Sequence, residues 1–206
     1  MLALRRSCCP LLTMWLMAAA HSSCCVASTP SAELAVPDVR QSTGYTCGAA
    51  ALQAVLAYYG ISSREDRLSA QMGATPSDGI APQAIVRTAR AHGLAAELRE
   101  NMTVEELALE VRERRPVIVE LQAWADPPRT HWESDWDDGH YAILVGIEKD
   151  ELVFEDPSVL GSRAQLSRQE FEARWHDIDF GQRHIHAGIL FRGRAPAPPA
   201  GRVRME

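Results

Sequence analysis

The stretch Gln41–Gly60, QSTGYTCGAAALQAVLAYYG, decides the fold. From Cys47 to Tyr59 it is dense in helix formers, with apolar residues at Ala51, Leu52, Val55, Leu56 and Tyr59, and Gly60 supplies the stop. The pattern predicts a buried helix with Cys47 at its start. A thiol in that position meets unpaired backbone N–H groups and the positive end of the helix dipole, which favour a thiolate. Gly44 and Gly48 flank it and are expected to leave room for a substrate backbone at the sulfur. The Cys47 backbone N–H can face a developing oxyanion, and Gln41 upstream offers a second, uncharged donor.

Working outward, Pro82–His92 reads as a second helix, with Pro82 in its first turn and Gly93 as its stop, followed by a short strand over Leu94–Leu98. Thr103-x-x-Glu106 is a capping box for a helix through about Glu113, and Ser167-x-x-Glu170 is another for a helix ending near Trp175. As a helix cap, Thr103 also accounts for the acceptor-like pattern Asn101-x-Thr103. Strands are expected over Pro116–Leu121, Tyr141–Ile147, Leu152–Glu155 and Ala187–Phe191, the middle two joined as a hairpin by the polar turn 148–151. Helices first and an antiparallel sheet after is the order of an α+β domain in two packed halves, with a cleft between them.

His140 opens the strand HYAILVGI and can face the cleft, take the Cys47 proton and return it to a leaving amine. Asp156 ends the facing strand, LVFEDP, where its carboxylate can reach the far ring nitrogen and fix the tautomer. The loop 126–139, DPPRTHWESDWDDG, is long, acidic and runs directly into His140; its Trp132 and Trp136 either line a groove or pin the loop. Its Asp135, Asp137 and Asp138 lack the spacing of a calcium loop.

Taken together, QSTGYTCGAAALQAVLAYYG, DGHYAILVGI and FEDP resemble the papain-like cysteine peptidases that process double-glycine leader peptides of bacteriocins. The resemblance runs from about Val39 to Phe191, with PSDGIAPQAIVRTARAHGL and RRPVIVELQ as weaker matches. It implies a papain-like fold, peptide-bond hydrolysis without a cofactor, Cys47 as nucleophile, His140 as base, Asp156 as orienting residue and Gln41 as oxyanion donor. The chain has neither membrane spans nor a Walker A motif, so it resembles the stand-alone exported branch rather than an exporter's amino-terminal domain. The expected partner is a peptide or unfolded exported protein, by analogy one that belongs to a secretion or surface-fibre system. Two other functions fit the same residues: acyl transfer from the same thioester, and an idle peptide-binding module.

The remaining sequence is consistent with an exported protein. Of 206 residues, 46% are apolar and 23% charged, as in a globular domain with extras. Arg5 and Arg6, the short apolar run Cys8–Ala20 and small residues through Ser28 read as a signal peptide over 1–28. A lead-in over 29–38, a peptidase domain over 39–193 and a Pro-rich tail over 194–206 complete the expected organisation, with a periplasmic or secreted destination. Cys8, Cys9, Cys24 and Cys25 fall within the signal, which leaves Cys47 without an internal disulfide partner; Cys24 or Cys25 as a lipid anchor is the less favoured alternative. With Arg5 and Arg6 set aside, 19 basic residues face 27 acidic ones, which argues against a nucleic-acid partner. His184-x-His186 could present two imidazoles on one strand face, but no third ligand stands at a recognised spacing, so no metal is expected.

Overall fold

β-branched and aromatic residues in the second half of the chain build one antiparallel sheet, and the helices of the first half pack on it. The computed structural model describes residues 33–128 and 131–194, so the expected signal peptide and all but the first residue of the tail lie outside the described residues. The helical half comprises α1 (Cys47–Tyr58), α2 (Glu65–Met72) and α3 (Pro82–Ala91). β1 (Ala95–Arg99), α4 (Val104–Arg112) and β2 (Val117–Gln122) follow, then a single 3₁₀ turn at Trp132–Ser134. β3 (Gly139–Glu148), β4 (Glu151–Glu155), β5 (Ala164–Ser167), α5 (Arg168–Arg174), β6 (His176–Asp179), β7 (Gln182–Ile185) and β8 (Gly188–Arg192) complete the order. Six strands form the main sheet in the order β1-β8-β2-β3-β4-β5, and β6 with β7 makes a separate hairpin.

α1 is the pivot. It is buried almost all round, which matches a sequence with no polar stripe, and it lies against β3, α2 and α3. Leu52, Val55 and Leu56 are fully buried, each side chain contributing on the order of 1.5–3 kcal/mol of transfer free energy. Gly48 leaves no space for a substrate: a methyl group there would meet Ile85 Cδ1 at 3.1 Å and Tyr141 Cδ2 at 3.2 Å. The expected approach to the sulfur therefore survives only at Gly44, which has nothing within 4 Å of a Cβ position. Gly48 serves the close packing of α1 on β3.

Both capping boxes form as read. Thr103 Oγ1 accepts from the Glu106 N–H, Ser167 Oγ accepts from the Glu170 N–H, and each glutamate reaches back to its cap. β3 and β4 make the expected hairpin, with Lys149 left-handed at φ 56° and a bulge between Leu144 and Gly146. The bulge is used: Val145 carbonyl accepts from Leu34 N–H at 2.8 Å, and Leu34 and Val36 of the lead-in are buried in the core. Glu155, fully buried at the end of β4, pairs with Arg163 and accepts from Val39 N–H at 3.0 Å, while Arg163 donates to Val36 carbonyl. This clasp fixes the entering chain beside the strand end that carries Asp156.

Three features lie outside the sequence reading: α2, β5 and the β6–β7 hairpin. His184 and His186 do not share a face. His184 sits in β7 with Nδ1 2.6 Å from Glu100 Oε1, whereas His186 adopts φ 48° and stacks on Trp175 at 4.8 Å.

Candidate active site

The nucleophile position is set by a turn closed on itself. Thr46 Oγ1 accepts from Thr43 N–H at 3.2 Å, and Thr46 carbonyl accepts from the N–H groups of Ala49 and Ala50, each at 3.0 Å, so α1 starts at Cys47 with the residue half-buried. Cys47 is a free thiol. Across from it, β3 opens with Gly139 and His140, and His140 is nine-tenths buried.

Asp156 leaves the end of β4 and reaches His140: Nε2 and Oδ1 are 2.8 Å apart, both side chains 6% exposed. The same carboxylate accepts Ser158 N–H on Oδ1 at 2.8 Å and Trp124 Nε1–H on Oδ2 at 3.1 Å. Burial works to raise the Asp156 carboxyl, yet His140, Ser158 and Trp124 together hold it below the usual carboxylate range. An ionised Asp156 has no proton to give, so the His140 Nε2–H is the donor, and Nδ1 is the ring atom left for Cys47. Burial alone would discharge His140; the bond to Asp156 and the hydrogen bond with Cys47 overcome it and raise the imidazole to about 10. The site is thus arranged to hold a positive imidazolium between two acidic groups.

Gln41 is tied to the loop after Asp156: its N–H donates to Pro157 carbonyl at 2.9 Å, and Ser158 Oγ donates to Gln41 Oε1 at 3.3 Å. Its side-chain Nε2 donates to Thr43 carbonyl at 2.9 Å, which occupies one of two amide protons. The sequence reading therefore names three residues that the fold brings into direct contact, and a fourth that the fold attaches to their supporting loop.

Beside Cys47 lies a cavity of about 520 Å³, walled by Gly44, Tyr45 and the turn 76–80 on one side and by Trp136 and the β6–β7 hairpin on the other. Trp136 packs at a tilt against His176, ring centroids 4.4 Å apart, and carries Arg183 over its ring, so it lines the cavity from a fixed position. Trp132 lies outside this wall, under Arg174 of α5 at 3.9 Å, and pins the loop. Asp78, Asp137, Asp177 and Asp179 border the cavity, and no Lys, Arg or His stands among its described lining residues. Desolvation and the neighbouring Asp179 push Asp177 up to about 6. Behind the wall, Tyr141 hydroxyl is 2.7 Å from Glu120 Oε1, and burial beside Asp179 lifts the Glu120 carboxyl well above its ordinary range.

Sequence reasoning missed Trp124, Glu120, Asp177 and Asp179. Only Glu120 carried a signal, as a carboxylate inside the all-apolar strand run VIVELQ, where an unpaired acid is costly. Trp124 is reached only through the backbone, which turns left-handed there at φ 62°.

The Peptidase_C39-like family model matches residues 33–182, a span that contains Cys47, His140 and Asp156. No protein of curated function matches the chain. Among solved structures, a C39-like peptidase from Bacillus anthracis superposes with a TM-score of 0.60 at 19% identity, covering 78% of this chain and 96% of that one. A double-glycine-motif protease of an AMS/PCAT transporter, solved with its leader peptide, gives 0.53 at 22% identity and covers 77% and 92%. The peptidase domain of Streptococcus ComA gives 0.54 at 19%, covering 76% and 97%. At these identities the structures establish a shared papain-like fold, and the family model goes further: the chain belongs to the Peptidase_C39-like family of cysteine peptidases.

Proposed function

We propose that this protein is an exported endopeptidase that cleaves a peptide or an unfolded segment of another exported protein. One observation carries the chemistry: a buried His140 gripped by ionised Asp156 at 2.8 Å, with its other nitrogen turned to the only cysteine among the described residues. In that arrangement His140 takes the Cys47 proton and the thiolate attacks the scissile carbonyl carbon. The Cys47 backbone N–H and the second amide proton of Gln41 receive the oxyanion. His140 then protonates the departing amine, and water, deprotonated by the same ring, hydrolyses the thioester.

The cleft beside Cys47 suits an extended chain. It is open enough for several residues, and a neighbour of the same fold binds a leader peptide. Its carboxylate rim favours segments that carry lysine or arginine over acidic ones. Export rests on the reading of residues 1–28 as a signal peptide.

The test is incubation of the purified mature chain with reduced, unfolded proteins and a peptide library, with mass spectrometry of the products. New amino termini are expected with wild type and none with Cys47→Ser; His140→Ala should nearly abolish them. Products formed equally by Cys47→Ser would overturn the assignment. Substrate retained on the protein without cleavage would indicate a binding module, and acylated amines in place of free carboxyl ends would indicate a transferase.

A further inference from the structure

The β6–β7 hairpin brings a second set of chemistry-bearing residues together, separate from Cys47, His140 and Asp156. Glu120 from β2, Asp179 from the end of β6 and His184 from β7 each offer one ligand atom, and these atoms all lie within 4.8 Å of one another. Glu120 is 1% exposed. Its Oε1 is paired with Tyr141, whereas no hydrogen-bond donor reaches its Oε2 or the buried Oδ2 of Asp179. Glu120 and Asp179 face each other, so without a proton on Glu120 or a cation between them the two buried oxygens are acceptors with no donor, an arrangement that is costly.

His184 is prepared for a role. It is 1% exposed, and Glu100 Oε1 holds its Nδ1 at 2.6 Å, which leaves Nε2 as the ring atom able to ligate. A carboxylate behind a histidine is the usual support of a metal-bound imidazole, fixing tautomer and ring orientation. Asp177, the next carboxylate along β6, turns its Oδ1 to Gln122 Nε2–H and Ile178 N–H and stands outside the set.

We infer that Glu120, Asp179 and His184 form a binding site for a divalent transition-metal ion of the zinc or manganese class. Two carboxylate oxygens and one imidazole nitrogen, with no sulfur, are a donor set those ions accept, and a fourth position falls to water. A shared proton between the two carboxyls would satisfy their oxygens but give the supported His184 no part; a cation engages all three. Asp179 also borders the cavity beside Cys47, so the ion clamps the hairpin to β2 and fixes that wall of the cleft. The site stands on its own residues and does not depend on the peptidase reading.

The test titrates the metal-stripped mature chain with Co²⁺, followed by visible absorption and thermal unfolding. The expected result is uptake of one equivalent with ligand-field bands of an oxygen–nitrogen site, no thiolate charge-transfer band and a raised Tm, all unchanged in Cys47→Ser. Asp179→Asn should abolish uptake, and Glu100→Gln, at an exposed position that leaves the three ligands in place, should weaken it by about 10–100-fold. Far-UV circular dichroism checks that both variants fold. No uptake at millimolar Co²⁺ would overturn the site in favour of the shared proton. Uptake that shows a thiolate band and vanishes in Cys47→Ser would place the ion on the nucleophile and overturn it too, as would uptake indifferent to both Asp179→Asn and Glu100→Gln.

Discussion

Trp124 donates its indole N–H to Asp156 at 3.1 Å, on the carboxylate oxygen that His140 leaves open. Each ring takes one oxygen of Asp156, so the carboxylate that orients His140 is itself held by Trp124. Trp124→Phe keeps the ring and removes the donor; kcat is expected to fall roughly tenfold with KM little changed, the value of one charge-assisted hydrogen bond. Asp156→Asn should cost about 10²–10⁴-fold and still exceed Cys47→Ser. Steady-state kinetics on one peptide decide this, and a change in KM alone for Trp124→Phe would make Trp124 a substrate contact instead.

Stability should track the His140 proton. Folded His140 keeps it to about pH 10, whereas an unfolded histidine releases it near 6.5. Its contribution is therefore full below about pH 6.5 and declines as pH rises toward about 10. Asp156 acts at the other end, its lowered carboxyl contributing above the unfolded value near 4 and losing that contribution in acid. Urea unfolding across pH 6–10 should show the alkaline decline in wild type and a flatter profile in His140→Gln. Parallel profiles would mean that the imidazole charge is not coupled to folding.

The close approach of α1 to β3 makes Gly48 intolerant of a side chain. Gly48→Ala is expected to destabilise by about 1–3 kcal/mol, because neither Ile85 nor Tyr141 can retreat within a filled core. Pairing it with Ile85→Val should recover part of the loss. Gly44→Ala, in open space, should leave Tm unchanged, and thermal melts of the three proteins separate these outcomes.

The acidic rim should appear in substrate choice. Among peptides of equal length, those with lysine or arginine near the cleaved bond are expected to show higher kcat/KM than glutamate counterparts, and the difference should shrink with added salt. Asp78→Asn and Asp137→Asn together should narrow it further. A preference that is insensitive to salt and to both substitutions would assign selectivity to shape.

The sequence was most informative where one physical signal dominated. α1 was legible because its apolar run ends cleanly at Gly60, and α4 and α5 because their capping boxes are local and complete. Cys47, His140 and Asp156 stood at element ends, where turn chemistry and strand pattern mark them. α2 was obscured by its thin apolar face, Leu68 and Met72 alone, although Glu65, Asp66 and the left-handed Gly73 are ordinary start and stop signals. The β6–β7 turn runs through Phe180 at φ 49° and Gly181 at φ 78°, a geometry normally announced by asparagine–glycine and here hidden behind a phenylalanine. Trp124 and the Glu120–Asp179–His184 group depend on contacts between residues far apart in the chain, which no local pattern encodes.

Cys47 begins a helix that is otherwise core, and this divides the molecule by how freely it can change over evolutionary time. Residues 48–58 cannot be altered to adjust the nucleophile without disturbing the whole interior, since nine of them are buried. The cleft is walled instead by the segments 44–45, 76–80, 136–137 and 177–181, which lie mostly in connections between elements. Such a scaffold can acquire a new peptide preference by substitution in its loops while its cutting machinery is inherited intact.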